Sequence, residues 1–404
     1  MSAATTSQSD SPTRWALVLT AVGAGVLIGF QVGKAPPMIG AIRAELGLDL
    51  VQAGFYMSMI NGIAVLTGIV AGILSDNAGR RRAVMLGVIC LIAGNVLGAL
   101  ADSAALLFAS RLLESIAFVG IVVSVPGLIL EVTRQRDLGT ALSVWSTYMP
   151  AGFATMMALG PLLASPEQWR SIWWLNAALG VAYLVLFLSV CRGVGAPPEA
   201  ARELRGLRAV MARPGPWLLG VCFMLYTVQW FGVLTWLPSI MQSVGLSVAA
   251  AGFGVALVVA GNIIGNLMAG VALNRGIPRW AIIAFCSLSL GLLTLGIYDD
   301  GIAPVWRLIM AGAFSAIGGA IPGAVLSGSA VHSPTPQQIG LTNGVIVQCT
   351  NFGSLIGPPA VALVAASAGG DFTAARWLTL AAGLTGVGVA LILRGVERRM
   401  AEAG

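Results

Sequence analysis

Long apolar runs separated by short polar punctuation fill almost the whole chain, and each polar break falls where a helix of membrane length would end. Twelve runs reach the roughly 20 residues that a helix needs to cross a hydrocarbon core. Their approximate bounds, numbered here as spans 1 to 12, are 15–39, 51–74, 83–101, 104–130, 138–164, 170–191, 215–240, 249–273, 280–298, 303–331, 337–366 and 372–394. The first run is too long for a signal-peptide core and is expected to stay as a span. An even number of crossings puts both termini on one side.

Basic residues set the orientation, because Lys and Arg in short loops stay cytoplasmic. On the side of the termini lie sixteen of the 22 basic residues: Arg14, Arg80 to Arg82, Arg134, Arg136, Arg192, Arg202, Arg205, Arg208, Arg213, Arg275, Arg279, Arg394, Arg398 and Arg399. The opposite side has three, Arg43, Arg170 and Arg376. Both termini are therefore expected inside, and a bacterial inner membrane is the expected location. The stretch 192–213 is the longest internal polar segment, with five arginines, Pro197 and Pro198. The predicted organisation is a tail over 1–14, a six-helix bundle over 15–191, a cytoplasmic linker over 192–213, a second six-helix bundle over 214–394 and a tail over 395–404.

Composition narrows the function. The chain is 57% hydrophobic and only 9% charged, with a mean hydropathy of +0.89. Soluble globules carry about a quarter of their residues as charges, so this supply cannot build a water-facing surface. That excludes a cytosolic enzyme, a disordered chain and a nucleic-acid binder, despite a formal charge of +6. No Gly-x-x-x-x-Gly-Lys-Ser/Thr loop occurs, which removes ATP as a direct energy source. Cys90, Cys191, Cys222, Cys286 and Cys349 show neither disulfide nor metal-ligand spacing. No metal or cofactor is expected.

An internal repeat organises the spans. Gly47-Leu48-Asp49-Leu50-Val51-Gln52-Ala53-Gly54-Phe55 returns 198 residues later as Gly245-Leu246-Ser247-Val248-Ala249-Ala250-Ala251-Gly252-Phe253, identical at five of nine places. The same offset places Gln31 on Gln229, and an offset of 196 places Arg111 on Arg307 and Pro126-Gly127 on Pro322-Gly323. Parallel repeats of this kind predict two bundles about a pseudo-two-fold axis along the membrane normal, with a cavity between them. The expected fold class is thus an all-α membrane protein of twelve transmembrane helices in two parallel six-helix repeats.

The loop between spans 2 and 3, Gly72-Ile73-Leu74-Ser75-Asp76-Asn77-Ala78-Gly79-Arg80-Arg81-Arg82, resembles the signature loop of the major facilitator superfamily, Gly-x-x-x-Asp-x-x-Gly-Arg-Arg/Lys. Its second copy, Gly270 to Arg279, is degenerate, with Asn274 for the Asp and Pro278 for the first Arg. Arg111 looks like the arginine of the family's second motif, although Glu114 and Ser115 stand where Gln-Gly is usual. Features of spans 1 and 5 are loosely similar to the cyanate/nitroimidazole branch. The resemblance implies a secondary transporter, a membrane protein and not an enzyme. It also implies gating by Gly72, Asp76, Gly79, Arg80 and Arg81 against the inner start of span 11 near Gln337. A monomer is expected.

Within the spans the candidate chemistry is sparse. Lys34 is the sole lysine, roughly 29 Å of helical rise into span 1, where it either faces the outer part of the cavity or snorkels to the outer interface. Gln31 shares its helix face. Arg111 and Glu114, three apart, can pair, and Glu114 is the leading protonatable group, with Arg111 beside it in proton coupling. Lys34, Arg111 and Arg307 against Glu114 leave a buried excess of two positive charges, which suits a small organic or inorganic anion. Polar and aromatic residues expected to line the substrate site are Tyr56 and Asn61 (span 2), Trp145 and Tyr148 (span 5), Tyr226, Gln229 and Trp230 (span 7), Asn262 and Asn266 (span 8), and Asn343, Gln348 and Asn351 (span 11). The partners expected are therefore a small-molecule substrate, protons and lipid. Proton-driven efflux of drugs or metabolites is the competing expectation, favoured by Gly160-Pro161 and the aromatic residues.

Overall fold

The computed structural model describes residues 12–68, 79–195, 206–335 and 338–403. Every regular element among them is helical. That is the physical expectation for chain in hydrocarbon, where each backbone N–H and C=O must be satisfied within the segment. Among the described residues eleven helices are long and apolar enough to cross a bilayer: Trp15–Leu46, Leu50–Gly68, Arg80–Ala99, Ala104–Val132, Pro166–Val190, Pro214–Ser243, Val248–Asn274, Arg279–Ile297, Pro304–His332, Ile339–Ser367 and Phe372–Met400. Span 5 supplies the twelfth crossing as two shorter helices, Leu138–Ser146 and Tyr148–Leu163. Leu66, Leu162, Phe285 and Trp306 stand exposed on the flanks. A patch of such side chains would aggregate in water, and in a bilayer it is the lipid face.

The repeat is visible in backbone geometry. Gly47 closes the short helix Ile39–Leu46 with φ 65°, and Asp49 then caps Leu50–Ser58 by accepting from Gln52 N. Gly245 repeats the left-handed turn with φ 94°, and Ser247 caps Val248–Asn274 by accepting from Ala250 N. The left-handed turn favours glycine and the next-but-one residue must offer a side-chain oxygen, so this recurrence has a conformational cause.

Among the described residues, span 2 passes through a 3-10 turn at Met59–Asn61, and two further spans expected to be continuous are broken next to a proline. Span 5 breaks at Thr147 and span 10 at Gly319, between Pro304–Gly318 and Ala320–His332. In each, a proline (Pro150, Pro322) sits third in the following helix. Its ring has no N–H for the carbonyl four residues back, so the ladder ends there. Span 1 turns similarly, through a 3-10 turn at Pro36–Met38.

Glycines let helices approach closely within and between bundles. A Cβ on Gly29 of span 1 would stand 2.7 Å from Gly152 Cα of span 5. Between bundles, Gly54 of span 2 lies against span 11, where a Cβ would stand 2.7 Å from Pro359 Cα. Gly252 of span 8 lies against the Met157 carbonyl and Pro161 of span 5. Gln242 Nε2 of span 7 donates to the Pro37 carbonyl at 3.5 Å. All these inter-bundle contacts lie at the end remote from the termini, called the outer end here, so the bundles are closed there. Toward the other end Gln348 Nε2 donates to the Val65 carbonyl at 2.9 Å, while the inner segment of span 5 buries only Ala141 and Trp145.

Candidate functional site

Five helices of the N-terminal bundle bring polar groups together within about three turns of their outer ends. Lys34 closes the first helix of span 1, where its Nζ donates to Gln31 Oε1, Asn95 Oδ1 and Glu114 Oε1, each at 2.6 Å. It also lies 4.6 Å from the centroid of the Trp173 ring. Three ammonium protons thus meet three acceptors in a pocket with no solvent exposure. Arg111 Nη1 donates to Glu114 Oε2 at 2.5 Å and to the Gln31 carbonyl at 2.9 Å. Its guanidinium covers the Tyr56 ring at 4.4 Å. Glu114 therefore holds a different cation on each oxygen. Gln31 Nε2 is anchored by Leu27 O and Asn176 Oδ1.

This placement corrects the expectation for Lys34. The amine neither snorkels outward nor faces the space between the bundles; it points into the N-terminal bundle, because span 3 and span 4 offer it acceptors there. The Arg111–Glu114 pair is present, with Lys34 as its third member. Donors remain in excess. Arg111 Nε and Nη2, the Tyr56 hydroxyl and Trp173 Nε1 are buried without a hydrogen-bond partner.

Arg307 is placed elsewhere. Its Nε donates to the Ile297 carbonyl at 2.8 Å and its Nη1 meets Asp300 Oδ1 at 3.2 Å, at the outer ends of spans 9 and 10. The expected excess of two buried charges falls accordingly, since Asp300 balances Arg307. Lys34 and Arg111 against Glu114 leave one positive charge in the cluster. The repeat explains the divergence: the counterparts of Lys34 and Glu114 are Gly232 and Met310, so Arg307 has no acid on its own helix.

An aromatic junction lies beside the cluster. Phe153 of span 5 packs against Gly33, whose Cβ would stand 2.6 Å from the Phe153 carbonyl, and meets Trp230 of span 7 edge-to-face at 5.7 Å. Phe153 thus links the backbone next to Lys34 to a residue of the other bundle. Trp230 Nε1 donates to Ser315 Oγ at 3.3 Å. Asn262 Nδ2 donates to the Tyr226 hydroxyl and the Ser315 carbonyl, both at 3.0 Å, and Asn266 to Asn262. Further in, Trp145 and Tyr148 stack at 4.2 Å on the glycine face of span 1 at Gly25.

The remaining polar candidates divide. Asn61 bonds within its own helix, to the Ser58 carbonyl, and Gln348 joins spans 11 and 2. Gln229 is fully buried with its Oε1 unpartnered; Asn343 Oδ1 also lacks a partner, and Asn351 is buried. Arg80 Nη1 donates to the Gly127 carbonyl of span 4, and Arg81 Nε to the Cys191 carbonyl of span 6. These contacts tie the N-terminal bundle together, with Gly79 (φ 92°) as the turn before them. Gly72, Asp76 and Gln337 lie outside the described residues. Three cluster members, Asn95, Trp173 and Asn176, are not among the residues the sequence singles out. A lone Asn in each of spans 3 and 6 was the available signal.

Residues 19–260 and 219–403 each match the sequence model of the Major Facilitator Superfamily. The chain belongs to the major facilitator superfamily. Among its curated relatives are an uncharacterised MFS-type transporter of Mycobacterium tuberculosis, 29% identical over 50% of this chain and 29% of that protein, and the multidrug resistance protein Stp of the same organism, 31% identical over 46% and 35%. The 3-(3-hydroxy-phenyl)propionate transporter of Escherichia coli is 27% identical over 66% of this chain and 67% of that protein. The chain thus spans about a third of the length of the first relatives it matches. A bacterial homologue of the human lysosomal transporter Spinster, solved in an inward-facing and occupied conformation, superposes with a TM-score of 0.80 at 16% identity, covering 96% of this chain and 98% of that one. That likeness carries the major facilitator fold.

Proposed function

We propose that the chain is a secondary active transporter of the inner membrane, working by alternating access and coupling a small organic anion to protons. The observation that carries this reading is the unbalanced positive charge of Lys34, Arg111 and Glu114, fully buried in the N-terminal bundle. Buried charge in a low dielectric acts over a longer range than surface charge, so it favours anions and disfavours cations nearby. The unpartnered Arg111 Nε and Nη2 and the Tyr56 hydroxyl are donors that a carboxylate could use. Tyr148, Tyr226 and Trp230 would take the apolar body of such a substrate, with Asn262 and Asn266 at its edge. The Escherichia coli relative is named for an aromatic carboxylate. Bundle closure at the outer end corresponds to one of the two states that alternating access requires, with the Gly79–Arg81 turn and its loop as the inner gate.

The aromatic walls also favour a second reading, proton-driven drug efflux, which the name of the Stp relative matches. Purified protein in liposomes separates the two under an imposed pH gradient, with aromatic carboxylates and lipophilic cations as alternative probes. The expected result is accumulation of the carboxylates. Movement of the cations alone would overturn the anion reading in favour of efflux.

A further inference from the structure

We propose that the exchangeable proton of this protein sits on the Lys34 amine, and that Glu114 is a fixed counter-charge. The inference rests on the proton-coupled reading above, and it assigns the coupling to a residue the sequence pointed to only as an anion ligand.

A proton placed on Glu114 would meet only donors. Oε1 of that carboxylate faces Lys34 Nζ at 2.6 Å and Oε2 faces Arg111 Nη1 at 2.5 Å. A carboxyl O–H would therefore find no acceptor and would have to displace a cation. Charge gives the same answer. Protonating Glu114 raises the cluster from one positive charge to two in a pocket without solvent exposure, and burial disfavours that strongly. Releasing a proton from Lys34 instead leaves a neutral Arg111–Glu114 pair. Arg111 cannot release its own, since guanidinium stays charged in proteins.

The groups facing the amine from each neighbouring helix are few. Span 4 presents Glu114 and Arg111, span 2 presents Tyr56 beneath the guanidinium, span 3 presents Asn95, and span 6 presents Trp173, with Asn176 behind Gln31. The ionisable ones among them are Glu114, Arg111 and Tyr56, and a phenol releases its proton only in alkaline solution. Lys34 is therefore the member whose change of protonation lowers the buried charge without stranding a proton.

The step is simple. One Nζ–H bond breaks, its electron pair stays on nitrogen and the proton passes to water on whichever side is open. Lys34 lies just before the Pro36–Pro37 turn, whose Pro37 carbonyl accepts from Gln242 of the other bundle. Parting the bundles at the outer end loosens the turn that seals the amine. The charged amine favours a bound anion and the neutral amine does not, so proton and anion travel together.

A single lysine in 404 residues makes the test direct. Protein labelled with lysine-15Nζ gives one side-chain nitrogen signal, followed in nanodiscs from about pH 5 to 9, the range across which a buried lysine can titrate. The expected result is conversion of that signal from ammonium to amine within the range. An ammonium signal throughout, or titration of a 13C-labelled glutamate carboxyl lost in Glu114→Gln, overturns the proposal. Lys34→Arg provides the second arm, because it keeps the charge and cannot release the proton. It should lose pH-driven accumulation of 3-phenylpropionate at least tenfold in protein that stays monodisperse with an unchanged thermal midpoint. Accumulation within twofold of the parent protein overturns the proposal. A titrating amine in a protein that moves neither carboxylates nor cations would keep the exchangeable proton on Lys34 but remove the transport reading and the coupling with it.

Discussion

Removing Glu114 and removing Lys34 disturb the buried cluster unequally, although both break the same 2.6 Å contact. Glu114→Gln leaves Arg111 buried without a counter-charge, even once Lys34 gives up its proton, and turns an amide N–H toward a donor. Breaking a buried pair in this way costs about 3–5 kcal/mol. Lys34→Gln keeps an N–H donor for Asn95 or Glu114 and leaves Arg111–Glu114 neutral, so its cost is nearer the about 1–3 kcal/mol of an unmet acceptor. In detergent the thermal midpoint should fall further for Glu114→Gln than for Lys34→Gln, and the reverse order would mean that the cluster is not held by charge balance. The charged members were legible in the sequence because a charge in an apolar run stands out. Asn95 and Asn176 were not, since a single Asn in a span is equally what joins helices through ordinary hydrogen bonds. Arg307 shows why a matched position is not a matched role: the repeat aligns it with Arg111, but Met310 and Gly232 stand where its partners would be.

At the scale of the helix, packing depends on where side chains are absent. Spans 1 and 5 touch through Gly29 and Gly152, and a Cβ on Gly152 would meet the Val26 carbonyl and Gly29 Cα. Backbone cannot yield there, so Gly152→Val should cost at least the about 1–3 kcal/mol of an overpacked core. At Gly139, in the inner segment of the same span, a Cβ would have nothing within 4 Å. Gly139→Val is therefore the control and should leave the yield of monodisperse protein unchanged, whereas Gly152→Val should lower both that yield and the thermal midpoint. Equal behaviour of the two would show that the glycine contact does not set the packing. Such contacts were only partly legible. The abundance of glycine is plain in the sequence, but which glycine meets which helix is decided in three dimensions. The helix breaks were missed for a related reason. Pro150 and Pro322 were plain to read, yet Pro126, the repeat counterpart of Pro322, sits inside the unbroken helix Ala104–Val132, so proline alone does not fix a break in a bundle whose neighbours can re-satisfy the backbone.

Across the whole molecule, the twelve crossings and two repeats were read from the sequence because hydrocarbon imposes length and composition on every span. Which end the bundles close was not, since both states are built from the same residues and differ in a few contacts of small energy. Closure at the outer end rests on Gly54 against Pro359, Gly252 against Met157 and Pro161, and Gln242 on Pro37. Enlarging one of these contacts should therefore favour the opposite state without touching the charge cluster. Met38, 1% exposed at the turn of span 1 beside Pro37, reports on that end. In a background with Cys90, Cys191, Cys222, Cys286 and Cys349 replaced, a single Met38→Cys should react slowly with a polar maleimide in detergent. Adding Gly252→Leu places a side chain where span 5 carbonyl and proline now sit, and a penalty of about 1.4 kcal/mol on the closed state is enough to raise the labelling about tenfold. The same substitution should leave Ala35→Cys labelling parallel to that of Met38→Cys, because both residues lie on the turn that opens. Labelling that stays slow at both positions while the protein remains folded would mean that the outer end is fixed, and that the two bundles do not rock about this contact.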